Sequence, residues 1–246
     1  MSGLAIDPAT DILGAVDVQP TFMPGGELPV AGGDEVVPAI NRLMEIFPHA
    51  FATQDWHPPG HSSFASAHPG CVPFETIGMP YGPQTLWPDH AIQGSPGAEL
   101  HPALRRDRIE MIQRKGFHPA IDSYSTFFEN DHRTPTGLHG WLRERGFRRI
   151  FFAGLATDYC VAWSAEDAVR LGYEVVVIED ACRGIGLKLP DGRTTMEVAK
   201  GRLVTIGVNL AESRAIHVDG LAKRSKIGRR GVKTMTRDQK GNRIGS

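Results

Sequence analysis

The spacing of apolar and polar positions divides the chain into alternating strand-like and helix-like stretches. Ile12-Leu13-Gly14-Ala15-Val16 is a short apolar run closed by Asp17 and predicts a buried first strand. Residues 35–47 place Val36, Val37, Ile40, Leu43, Met44 and Phe47 at helical spacing. A second strand is expected at Ala50-Phe51-Ala52-Thr53 and a weaker one at Met111-Ile112-Gln113. Residues 136–145 read as a helix with Leu138, Trp141 and Leu142 on one face and Gly146 as its cap. From Ile150 a further apolar run predicts a buried strand; Ala153, Gly154 and Ala156 permit a sharp turn, and a helix is expected from about Asp158 to Leu171. A strand at 174–178, a helix at 195–203 and a last strand at 207–210 complete the pattern. Continuous apolar runs mark strands covered on both faces, so the expected fold is α/β: three layers, a mainly parallel sheet with helices on both sides.

Two stretches interrupt this alternation. Residues 24–33 are glycine-rich and read as a loop, and the segment after Pro58 is irregular and rich in Pro, Gly and His. A long irregular loop inside a compact domain is usually functional or disordered.

Composition adds little to the fold but something to its setting. A chain of 246 residues can build its own core. Three cysteines, Cys71, Cys160 and Cys182, are an odd number without paired spacing, which suits a reducing compartment. The first residues lack a basic segment followed by an apolar one, and no apolar run reaches membrane-spanning length. A cytoplasmic location with no membrane partner is therefore expected. Charge is uneven: residues 220–246 hold nine Lys or Arg against the single acid Asp238. Setting these apart from the chain's 27 basic and 28 acidic residues leaves a body of net −9 beside a tail of net +8. The expected division is a domain over 1–218 and a basic tail over 219–246, too poor in apolar residues to fold alone. A nucleic-acid arm is one reading of that tail and a solvated segment lying on its own acidic body is another; nucleic acid is not expected as a partner.

Candidate chemistry gathers at predicted strand ends, where open α/β sheets place their ligands. Asp17 is a candidate base there, or a turn-forming Asp ahead of Pro20. Gln54-Asp55-Trp56-His57 closes the second strand, and Asp55 and His57, two apart on an extended chain, point the same way and can grip one divalent metal. His90, in Trp87-Pro88-Asp89-His90, offers a third ligand. Lys115 at another strand end is a cation that would favour neighbouring carboxylate and thiolate, or an ordinary solvated lysine. Cys160 falls in the first turn of the helix after Ala156, where unpaired N–H groups favour a thiolate. The same pattern fits an inert cysteine in an apolar core.

Five stretches in register resemble the nicotinamidases of the isochorismatase-like cysteine hydrolase superfamily. They are Asp17-Val18-Gln19-Pro20-Thr21-Phe22, Gln54-Asp55-Trp56-His57-Pro58, Trp87-Pro88-Asp89-His90 with residues 93–98, Lys115-Gly116, and Gly154-Leu155-Ala156-Thr157-Asp158-Tyr159-Cys160-Val161. The resemblance implies a catalytic triad of Asp17, Lys115 and Cys160 and metal ligands Asp55, His57 and His90. It implies one divalent ion, zinc first with iron or manganese as alternatives, and leaves a fourth ligand open between His61 and Ser63. It also implies a substrate ring held by Phe22, Trp87 and Tyr124, and a cis bond before Ala156 that turns its N–H, with that of Cys160, toward an oxyanion. The implied activity is hydrolysis of nicotinamide to nicotinate and ammonia through a thioester, within NAD salvage. The small-molecule substrate is the expected partner, and self-association is left open. The competing enzyme reading is another cysteine amidase of the superfamily, acting on a carbamoyl or ureido compound.

Overall fold

Six parallel strands carry the fold, and the order in which the chain visits them decides where a ligand can sit. The computed structural model describes residues 3–218; the basic tail expected over 219–246 lies outside them. The strands of the main sheet are β2 (Asp11–Val16), β3 (Ala50–Asp55), β6 (Met111–Lys115), β7 (Arg149–Leu155), β8 (Glu174–Arg183) and β9 (Asn209–Ala211), in the order β6-β3-β2-β7-β8-β9. All neighbouring pairs are parallel. The chain starts in the middle, runs outward to β6, returns to β7 beside β2 and runs outward the other way. That reversal between β2 and β7 is a topological switch point, where the crossing connections part and leave a crevice at the carboxyl ends of the strands.

Every residue of β2 and β3 is buried, as the unbroken apolar runs require. Successive side chains go to opposite faces. Leu13, Ala15, Phe151 and Ala153 pack with α1 (Val36–Ile46), whose Val36, Ile40, Leu43 and Met44 form the buried stripe. Burial of each such large side chain contributes about 1.5–3 kcal/mol. Ile12, Val16, Ile150 and Phe152 face the other layer, made by α2 (Leu138–Glu144), α3 (Ala162–Arg170) and α4 (Thr195–Thr205). The expected three-layer α/β architecture is the observed one.

Gly154 brings the two central strands into close approach at the switch point. It has φ 129°, and a Cβ there would stand 2.1 Å from the Val16 carbonyl oxygen, so no other residue fits. The Leu155–Ala156 bond that follows is cis.

Several elements depart from the sequence pattern. The helix expected from Asp158 opens with a π-helical turn, Thr157–Val161, in which the Val161 N–H reaches back five residues to the Ala156 carbonyl before α3 begins. Apolar periodicity does not separate a wide single turn from α geometry, because the two differ by less than one residue per turn. β8 continues to Arg183: Glu179 and Asp180 interrupt the apolar run, but Ala181 and Cys182 return to the core beyond a register shift against β7. The irregular stretch after Pro58 contains an antiparallel hairpin of β4 (Thr76–Met79) and β5 (Gly82–Thr85). A small parallel pair, β1 (Leu4–Ile6) with β10 (Ile216–Val218), brings the two ends of the described chain together. β1 and β10, three residues each, show too little periodicity to stand out in the sequence.

Candidate active site

Four of the six strands deliver a charged or nucleophilic side chain to one corner. Asp17 follows β2 in a left-handed conformation, φ 46°, with its N–H donated to Thr53 Oγ1 at 3.0 Å and its Oδ1 accepting from that hydroxyl at 2.5 Å. Asp55 and Lys115 end β3 and β6, paired in register. Cys160 stands in the π-helical turn after β7. Lys115 is wholly buried, and its Nζ is the hub: 2.9 Å from Asp17 Oδ2, 2.9 Å from Asp55 Oδ1, 3.0 Å from the Ser123 carbonyl oxygen and 3.4 Å from Cys160 Sγ. The predicted Asp, Lys and Cys are thus brought together around one ammonium group.

The electrostatics of this cluster set burial against charge. Burial pushes the Cys160 thiol well above its ordinary pKa, against the pull of Lys115 and with Asp17 and Asp55 adding to the rise. Desolvation at this thiol works against the helix start and the lysine, both of which favour the anion. Asp17 is also raised, by burial and by Asp55, against Lys115 and Thr53. Burial alone would strip the Lys115 proton, yet Asp17, Asp55 and Cys160 together hold the ammonium well above the ordinary lysine range. The result is a fixed cation beside an acid and a thiol that compete for one proton, a pair that titrates as a unit. Asp17 Oδ2 faces the Lys115 ammonium at 2.9 Å, so the acid is held as a buried partner of that charge.

The predicted metal ligands share Asp55 with this cluster. Asp55 Oδ2 lies 3.5 Å from His57 Nδ1 and 3.3 Å from His90 Nε2. All three residues are buried, and one potential ligand atom from each falls within 4.8 Å of the others. His90 Nδ1 lies 2.8 Å from the Pro88 carbonyl, to which it must donate, and this frees Nε2 as a lone pair. His57 Nε2 lies 3.1 Å from Asp122 Oδ1, while its Nδ1 is a buried nitrogen without a hydrogen-bond partner. Burial opposes charge on His57, but Asp55 and Asp122 outweigh it and favour positive charge there. An orphaned nitrogen, a free imidazole lone pair and a depressed carboxylate facing one point fit a divalent cation. Gly116, φ 68°, makes room: a Cβ there would stand 2.8 Å from His57 Nε2.

His61 and Ser63 engage each other instead of this group. His61 Nδ1 lies 2.8 Å from Ser63 Oγ and its Nε2 2.8 Å from the His118 carbonyl, and His61 clusters with His57 and Asp122 rather than with Asp55 and His90.

A cavity opens onto both groups, and Phe22, Trp87, Tyr124, Ala156 and Cys160 all line it. Trp87, Tyr124 and Tyr159 form an edge-to-face cluster with ring centres 4.8–6.1 Å apart, and Phe22 lies edge-on to His90 at 5.6 Å. Leu28, Asp122, Tyr159 and Ile185 also line it and were not singled out by sequence reasoning. Gln19 was quoted without a role, yet its buried amide clamps the Asp55 backbone, accepting from the N–H at 2.8 Å and donating to the carbonyl at 2.8 Å. Its place two residues after Asp17 was the available signal. Asp122, two before Tyr124, had none beyond its charge.

A parallel sheet with this switch point, a buried Asp-Lys-Cys cluster and an adjoining carboxylate–imidazole group is an α/β frame that brings an acid, a cation and a thiol to one cavity. The chain matches the isochorismatase domain over residues 12–196 and belongs to that family. It is 50% identical over 203 residues to a nicotinamidase of Acinetobacter baylyi, a match covering 82% of this chain and 92% of that protein. Among solved structures, a nicotinamidase/pyrazinamidase of Acinetobacter baumannii superposes with TM-score 0.81 at 49% identity, covering 85% of this chain and 99% of that one. A pyrazinamidase of Pyrococcus horikoshii in complex with zinc gives TM-score 0.63 at 32% identity, covering 82% and 98%.

Proposed function

We propose that the protein hydrolyses nicotinamide to nicotinate and ammonia through a Cys160 thioester. The observation that carries this reading is the meeting of Asp17, Lys115 and Cys160 around one buried ammonium, with Asp55 shared between that cluster and two histidines. The names of the relatives supply the substrate class.

Asp17 takes the thiol proton as Sγ attacks the carboxamide carbon, so the anion forms only when substrate is in place. The N–H groups of Ala156 and Cys160 serve the resulting oxyanion. Asp17 returns the proton to the departing nitrogen, which leaves as ammonia, and water then cleaves the thioester to free the carboxylate and restore the thiol. Lys115 steadies the negative charge that passes between Asp17 and Cys160. Asp55, His57 and His90 would hold one divalent cation, zinc first with iron or manganese as alternatives, which supplies an anchor for the pyridine nitrogen. Phe22, Trp87 and Tyr124 hold the ring. The hydrolase unit is assigned to residues 1–218. No helix among the described residues is long and apolar enough to cross a membrane.

A carbamoyl or ureido substrate is less well supported, since it would leave the buried Asp55, His57 and His90 without work. Ammonia release from nicotinamide tests the reading: Cys160→Ala, folded as the parent, should show none. Turnover at the parent's rate in that variant would overturn the mechanism.

A further inference from the structure

The hairpin β4–β5 is exposed or half-exposed along nearly all of its length, yet Gln84 within it is completely buried. Its amide is saturated at both ends. Nε2 lies 2.8 Å from Asp122 Oδ2, 2.9 Å from the Tyr124 hydroxyl and 2.7 Å from the Thr85 carbonyl. Oε1 accepts from Asn130 Nδ2 at 3.1 Å and from the Tyr81 hydroxyl at 3.2 Å. The reverse orientation would set Oε1 against a carboxylate and a carbonyl and Nε2 against two donors, so the neighbours fix the amide as described.

Each partner on the Nε2 side leads to a different part of the site. Asp122 uses Oδ1 for His57 Nε2 at 3.1 Å and for the Ser123 N–H at 2.8 Å, and Oδ2 for Gln84. The rotation of that carboxylate decides which way the His57 ring and its orphaned Nδ1 point. The Tyr124 hydroxyl, shared with Trp87 Nε1 at 3.1 Å, belongs to the aromatic wall of the cavity. We propose that Gln84 is a positioning residue: it holds the metal-binding corner and the aromatic wall in one register through Asp122 and Tyr124, and so anchors the hairpin to the site. This rests on the reading of Asp55, His57 and His90 as metal ligands.

The test uses the full chain and Zn²⁺ affinity by chelator competition, with the visible spectrum of the Co²⁺-loaded protein as a second readout. Gln84→Leu leaves Asp122 Oδ2 and the Tyr124 hydroxyl short of a partner. Gln84→Glu, close in volume, sets a second carboxylate against Asp122 and keeps the test available if the leucine variant does not fold. Both should bind Zn²⁺ about tenfold more weakly and shift the Co²⁺ spectrum, as outer partners of a ligand do. Thr76→Ala, at an exposed position of the same hairpin, should bind as the parent does. Parental affinity in folded Gln84 variants, or equal weakening by Thr76→Ala, would overturn the proposal. Should the parent and His57→Ala bind Zn²⁺ alike, the ligand reading itself falls, and this inference with it.

Discussion

The thiol corner and the metal corner share Asp55 but are built by opposite means. Asp17, Lys115 and Cys160 sit at or just beyond the ends of β2, β6 and β7, so the parallel ladder sets their separations before any side chain is considered. His57, His90 and Asp122 come from irregular segments: Asp122 is held to His57 and Gln84 by side-chain hydrogen bonds 65 and 38 residues apart in sequence, and His90 to the Pro88 carbonyl. A sheet can hold opposed charges at fixed distance without further support; loops reach the same order only when every polar atom around them is used.

If that division is real, the two corners should respond separately to substitutions that touch only one. Cys160→Ala should lower turnover by more than about a thousandfold, yet leave Zn²⁺ affinity at the parental value, since Cys160 is not among the group that could hold a cation. Lys115→Met is the substitution that should break the separation. It leaves Asp17 and Asp55 buried without their counter-charge, which typically costs about 3–5 kcal/mol, and it removes the cation from the thiol. Urea denaturation and ammonia release should both fall, where Cys160→Ala loses only the second. On the other side, Asp122→Asn takes the charge from behind His57 and should weaken Zn²⁺ binding by about 10–100-fold in a chelator titration. Stability in that variant should change far less than in Lys115→Met.

The same contrast explains what could be read from the sequence. Asp17, Asp55 and the turn before Cys160 were legible because buried parallel strands read as apolar runs, and the residue that ends one is placed by the sheet, whereas Lys115 ends a half-exposed edge strand and was picked out by the resemblance. His57 followed from period two along the strand. The roles of Gln84 and Asp122 were not legible, since each is defined by partners distant in sequence and neither disturbs the local pattern, and Gln19 was marked only by its place after Asp17. The balance at Cys160 was legible only in part: a helix start, which favours a thiolate, is visible in sequence, but the burial that opposes it is a tertiary property. The fate of the tail at 219–246 falls outside the described residues.

The smallest effect probes the boundary between the corners, behind Ser123. Glu129 is buried, its Oε2 has no hydrogen-bond partner, and burial raises its pKa from 4.5 to about 7. Asp122 and Asp131 push the same way, against Lys115 and a hydrogen bond with Ser123. An acid whose folded pKa lies above its unfolded value binds more protons when folded, so its contribution is fully present below about pH 4.5 and is lost as pH rises through about 7. Glu129→Gln removes that loss. Thermal melts should place the variant close to the parent at pH 5 and above it at pH 8. With allowance for solvent screening, the gain is on the order of 1 kcal/mol, or roughly 2–4 °C for a chain of this size. A parent no less stable at pH 8 relative to the variant than at pH 5 would mean that Glu129 ionises without penalty. The two corners would then be separated by solvent-like dielectric rather than by the dry, charge-coupled packing described here.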